Sequence, residues 1–71
     1  MLVGYRFVIH SGGNAETLGT MALGGDEEAR LFGAEVIHDL MENAPRRYAA
    51  YTMDIVHGER TVASIPFAPA G

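Results

Sequence analysis

Apolar and polar residues alternate from Val3 to His10. Val3, Tyr5, Phe7 and Ile9 share one parity, and Gly4, Arg6, Val8 and His10 share the other. A period of two built on aromatic and β-branched residues predicts a strand with one buried face. Ser11-Gly12-Gly13-Asn14 follows as a cluster of turn formers. Glu16 to Leu23 predicts a second, weaker strand in which Leu18, Met21 and Leu23 are apolar. Gly19 interrupts it and marks a bulge or a close backbone approach. The two segments form an expected hairpin.

The period then changes. Ala29, Phe32, Gly33, Val36, Ile37, Leu40 and Met41 recur at helical spacing and make one apolar stripe, while Arg30, Glu35, His38, Asp39 and Glu42 fall off it. Asp26 is the expected N-cap, with Glu27 and Glu28 at the positive end of the helix dipole. Gly33 costs roughly 1 kcal/mol against Ala inside a helix. On the buried side it lets the helix axis approach the sheet. Asn43-Ala44-Pro45 stops the helix, because Pro disfavours helical geometry in the residue before it.

Arg46 to Ala50 reads as a connector. Alternation resumes from Tyr51 to His57, with Tyr51, Met53 and Ile55 on one side and Thr52, Asp54 and Val56 on the other. Gly58-Glu59 is the expected two-residue hairpin loop, Gly first. That register sets His57 opposite Arg60, Ile55 opposite Val62 and Met53 opposite Ser64. The last strand is expected over Arg60 to Ile65. Pro66 suits a strand end or sheet edge, and Phe67 is expected to fold back onto the core.

The predicted fold class is therefore α+β: a ββαββ two-layer sandwich, one helix packed on a mainly antiparallel four-stranded sheet. A single domain is expected over residues 1–67, with a frayed tail over 68–71. The expected core is Tyr5, Phe7, Ile9, Met21, Leu23, Phe32, Val36, Ile37, Leu40, Met53, Ile55 and Val62.

Size and composition add a constraint. A chain of 71 residues buries only roughly 60% of its unfolded surface, and domains this small commonly lean on a staple. With no Cys, disulfides and thiolate metal sites are excluded, which leaves association with another chain or, as the alternative, an unusually well-packed core. Net charge is −4, from nine acidic residues against five arginines. A basic stripe is the usual footprint of a nucleic-acid binder. Its absence argues against nucleic acid as a partner. No apolar run approaches a membrane span. The opening residues carry no export signal, so the cytoplasm is the expected location.

A sheet covered by one helix leaves its second face open, and a solvated face should read polar. By parity that face is expected to carry Arg6, Val8, His10, Thr52, Asp54, Val56, Ala63 and Ile65. Four of these are apolar, and a clustered patch of that kind suggests binding. The candidate interface is Val8, His10, Thr52, Asp54, Val56, Ala63 and Ile65.

Candidate chemistry is sparse. His38 and Glu42 are an i, i+4 pair, but zinc needs three or four ligands. His10 and Asp54 share the open face and could hydrogen-bond if their strands are neighbours. Ser11 and Ser64 assemble no recognisable triad. Ser11-Gly12-Gly13-Asn14 follows a strand without opening a helix and lacks a Lys-Ser/Thr pair, so it is a turn and not a phosphate loop. Gly24-Gly25 precedes a helix start, but Asp26, Glu27 and Glu28 would repel an anion. No residue set is assigned to catalysis, to a cofactor or to a metal, and a chain this short has little room for a pocket with a supporting shell.

The order and spacing of several motifs resemble a family of very small proteins common in rhizobia and related alphaproteobacteria, catalogued only as a domain of unknown function. The shared marks are Tyr5-Arg6-Phe7 with Gly12, and Gly19 before an apolar-ended second strand. Asp26-Glu27-Glu28-Ala29-Arg30 opens the helix, and Gly58-Glu59-Arg60-Thr61-Val62 leads to Ile65-Pro66-Phe67. Thr17 and Leu18 stand where that family often has acidic residues, and Tyr51 where it often has Trp. The resemblance implies the ββαββ order and no activity.

The leading functional expectation is a non-enzymatic interaction or regulatory module, self-associating or docking another protein through the open sheet face or an edge strand. Two alternatives are an antitoxin-like regulatory partner of another protein, on fold analogy, and a weak nucleic-acid binder using Arg6, Arg46, Arg47 and Arg60.

Overall fold

A computed structural model describes residues 1–68. Its element order is β1 (Val3–Ser11), β2 (Asn14–Leu23), α1 (Asp26–Asn43), α2 (Pro45–Tyr48), β3 (Thr52–His57) and β4 (Arg60–Pro66). The four strands form one sheet in the order β2-β1-β3-β4, every neighbouring pair antiparallel. The expected α+β sandwich is therefore present, with the two hairpins joined side by side through β1 and β3. Both hairpin loops place Gly first at positive φ, Gly12 at +62° and Gly58 at +63°. Of the tail expected over 68–71, all but Ala68 lies outside the described residues.

The core lies between α1 and the two central strands. Tyr5, Phe7 and Ile9 of β1 and Met53 and Ile55 of β3 are buried beneath Ala29, Gly33 and Ile37 of α1. Gly33 sets the spacing of the layers. A Cβ added there would lie 2.9 Å from Ile55 Cδ1 and 3.1 Å from Met53 Sδ. Phe7 and Phe32 meet at 5.2 Å between ring centroids.

Four local expectations are corrected. Asp26 does not cap α1 with its side chain: the N-cap is Gly25, and no side-chain cap bond forms. Instead the Asp26 carboxylate accepts from the Tyr5 hydroxyl at 2.8 Å and from the Arg60 guanidinium at 3.2 and 3.4 Å. Glu28 accepts the Gly24 N–H at 2.6 Å. A tertiary tie between β1, the start of α1 and the start of β4 thus replaces the local one. The connector Arg46 to Ala50 is mostly a short helix, because Pro45, which ends α1, suits the first position of another. Tyr48 and Tyr51 then pack against Phe67 at centroid distances of 5.8 and 5.9 Å. Phe67 is buried as expected, and its N–H donates to the Tyr51 carbonyl at 2.9 Å.

The third correction is Met21, expected in the core but 42% exposed. Strand order explains it, since β2 is an edge strand and its helix-facing side lies beyond the core. The fourth concerns the second hairpin. His57 is opposite Arg60 as expected, but Ile55 is opposite Ala63 and Met53 opposite Ile65. The register shifts between Ile55 and Val56, leaving Val62 as the extra residue. A bulge of this kind flips the parity of every residue beyond it.

The Tyr5–Asp26–Arg60 tie makes a pH prediction. Hydrogen bonds from Arg60 and Tyr5 hold the Asp26 carboxyl below its ordinary value of 3.8. The unfolded chain therefore takes up this proton first as pH falls, and the tie's contribution is complete above 3.8 and lost as pH drops through the lowered value. Thermal unfolding of Asp26→Asn should fall below wild type at neutral pH, with the gap closing as acid titrates the carboxyl. A gap of equal size at both ends of the titration would show that the charge is not what stabilises.

Candidate functional site

The open sheet face is assembled by cross-strand register. Arg6 lies opposite Val56, Val8 opposite Asp54 and His10 opposite Thr52. Five of the seven candidate interface residues, Val8, His10, Thr52, Asp54 and Val56, come together there. Ala63 and Ile65 do not. The Val62 bulge turns them to the helix side, opposite Ile55 and Met53, where they pack against the core. Ser64 replaces them on the open face, with Thr61 and Pro66. On β2 the same face carries Ala15, Thr17, Thr20 and Ala22. What remains apolar is Val8 and Val56 among small and polar side chains, the composition of a solvated face.

His10 and Asp54 do meet, with Nε2 3.2 Å from Oδ2. The Ser64 hydroxyl donates to the other carboxylate oxygen at 2.7 Å. Three strands thus contribute His, Asp and Ser to one cluster, with the carboxylate in the middle. Nucleophilic catalysis requires the imidazole between the other two, so that it can take the hydroxyl proton. Here the serine proton points to Asp54, and the carboxylate organises the face without activating a nucleophile. His38 and Glu42 pair at 3.3 Å on a well-exposed helix surface. Among the described residues no group of three His, Cys, Asp or Glu side chains is placed to hold a metal, and no helix is long and apolar enough to cross a membrane.

The arginines are dispersed among separate tasks. Arg60 is engaged by Asp26 at 3.2 Å, Arg30 donates to the Val62 carbonyl at 3.5 Å, and Arg47 lies over the Tyr48 ring at 5.3 Å.

The feature that parity did not reveal lies along β2. Nine of its ten residues are exposed, Leu23 alone being partly covered. A cleft of about 220 Å³ runs between this strand and α1, lined by Phe7, Phe32 and Val36 and by β2 from Leu18 to Met21, Thr20 included. Beyond Phe32 a second depression continues past Leu23 and Leu31. Leu18, Met21 and Leu31, at 43%, 42% and 64% exposure, all border this one side. Leu18 reaches it through a bulge: Phe7 pairs with Gly19 and Val8 with Thr17, so Leu18 has no partner on β1. It joins the helix-facing side next to Phe7.

The two edges of the sheet differ in protection. Edge strands are normally blunted by charge, proline or bulges. β4 has Arg60 at its start, Pro66 at its end and a bulge whose Val62 carbonyl is occupied by Arg30. β2 shares with β4 only a bulge, at Leu18; it has neither Pro nor a basic residue, and Glu16 is its single charge. Compared with protein-family models, with curated proteins and with solved structures, the chain matches none.

Proposed function

We propose that this chain is a non-enzymatic interaction module that acts through its β2 side, the less guarded edge together with the apolar cleft beneath α1. The observation that supports this most is the coincidence of free strand edge and exposed apolar side chains on one flank, with Leu18 and Met21 beside Phe32 and Val36. An edge strand offers a row of backbone donors and acceptors, and a flanking groove supplies side-chain specificity. That is the anatomy of recognition by strand addition. The open face, the other surface expected to bind, has lost Ala63 and Ile65 to the core and presents mainly polar groups.

The two surfaces are separated by a pair of variants. Leu18→Asp places a charge in the cleft, and Val56→Asp places one on the open face. Each is purified and checked for folding by circular dichroism. Association, read as the mass of whatever complex the protein forms, is expected to be lost in Leu18→Asp and kept in Val56→Asp. The reverse pattern would move the function to the open face and sink this reading.

A further inference from the structure

We infer that the occupant of the β2 side is a second copy of this chain, paired antiparallel through β2 about a two-fold axis between Leu18 and Gly19, to make one continuous eight-stranded sheet. This rests on the reading of the β2 side as the interaction surface and names its partner.

The argument starts from the sequence of the strand. In Ala15-Glu16-Thr17-Leu18-Gly19-Thr20-Met21-Ala22, two of the four pairs related about the centre are identical, Ala15 with Ala22 and Thr17 with Thr20. Folded about its centre, Thr17 meets Thr20 of the second copy, Ala15 meets Ala22, Leu18 meets Gly19 and Glu16 meets Met21. Facing residues in an antiparallel pair must share a face. In a regular strand, residues an odd number apart point to opposite faces, so this alignment would be forbidden. The bulge at Leu18 removes the obstacle. Ala15, Thr17, Thr20 and Ala22 all lie on the open face, and Glu16, Leu18, Gly19 and Met21 on the helix face. Every pair therefore matches.

The matched pairs also fit chemically. Thr opposite Thr is a favourable cross-strand pair, and like charges directly opposite are unfavourable. The single charge of the strand, Glu16, faces Met21 and not its own copy. Leu18 projects over the glycine of the second copy, where no side chain competes, beside the cleft formed by Phe7, Phe32 and Val36. The symmetry makes the insertion reciprocal, as an isologous interface requires.

An extended peptide from another protein would satisfy the edge equally well, but it would not account for the matching of faces about the axis between Leu18 and Gly19.

The absence of cysteine makes the register directly testable. Residues directly opposite in an antiparallel pair lie about 4.5–5.5 Å apart between Cα atoms, within the range a disulfide needs. Thr17→Cys and Thr20→Cys chains are mixed, allowed to exchange and oxidised mildly. A covalent dimer is expected in the mixture and not in Thr17→Cys alone, where the two sulfurs would be over about 10 Å apart. Sedimentation of the unmodified chain should give twice its 7.6 kDa mass. Leu18→Asp should weaken the dimer by about a hundredfold or more, through a charge buried without a partner.

A monomer at every accessible concentration would overturn the second copy, while leaving the β2-side reading to the Leu18→Asp and Val56→Asp comparison. A dimer that withstands Leu18→Asp, or that crosslinks equally well in Thr17→Cys alone, would overturn the pairing itself. A dimer broken by Val56→Asp instead would overturn both.

Discussion

Ile55→Ala should remove a large share of this domain's stability. Ile55 is fully buried at the centre of β3, with its Cδ1 directly beneath the Gly33 backbone. Truncating a buried Ile costs about 2–5 kcal/mol, and the value depends on how far the surroundings collapse into the space. Collapse is restricted here. The roof of the space is glycine, which has no side chain to swing inward, and the floor is a strand paired on both sides. The loss should therefore fall in the upper part of that range. A chain of 71 residues has a total stability of roughly 4–11 kcal/mol. The variant should thus be marginal or unfolded at room temperature. Urea unfolding monitored by circular dichroism measures this as a fall in midpoint at unchanged slope. Leu2→Ala, at a position 70% exposed, should stay within about 0.5 kcal/mol of wild type. A loss below about 1 kcal/mol in Ile55→Ala would mean that the layers close over the gap, contrary to the low end of measured series.

The second large effect runs in the opposite direction, from too little space. Gly33→Val should destabilise by about 1–3 kcal/mol or more. Its Cβ would fall within 2.9 Å of Ile55 Cδ1 and 3.1 Å of Met53 Sδ. Both are side-chain ends that normally yield. Here both belong to residues with no exposed surface, so neither has somewhere to go without moving a neighbour. Propensity offers little offset, because Val is itself a poor helix former. The helix must lift from the sheet, and every contact along the Ala29–Ile37 line loosens with it. Pairing Gly33→Val with Ile55→Ala makes the cause visible. The methyls removed from one layer make room for those added to the other, so the double variant should be more stable than the sum of the single losses implies. Strict additivity would show that the two residues do not share the space.

Most of the fold was legible because local signals agreed with one another. The period-2 runs, the glycine-led hairpin loops and the helical stripe from Ala29 to Met41 each point to one element, and the elements form in that order. What escaped has specific causes. Strand order is a tertiary property, so nothing in β2 announces that Met21 lies outside the helix's reach. The bulge at Val62 has no glycine to mark it, and parity counted through it sends Ala63 and Ile65 to the wrong face. The bulge at Leu18 did have a signal in Gly19, but the flip of Leu18 follows only from its pairing with β1. Asp26 had two possible employments, and the local one lost to a buried tyrosine and an arginine from the other end of the chain. The sequence reading places the candidate interface on the open face of the sheet, while the exposed apolar residues Leu18 and Met21 lie along its β2 edge.

The strand order also bears on how the molecule is put together over time. Each hairpin closes a two-residue loop, a local event on a microsecond scale, but neither two-stranded ribbon is stable in water alone. What makes them a domain is the pairing of β1 with β3 over five residue pairs, Arg6–Val56 to His10–Thr52, between segments separated by the second strand and both helices. That closure carries the loop entropy of the whole intervening chain, and the apolar underside of α1 is the surface on which the second hairpin must land. Folding of this protein is thus less a sequence of four strands than the closing of one seam.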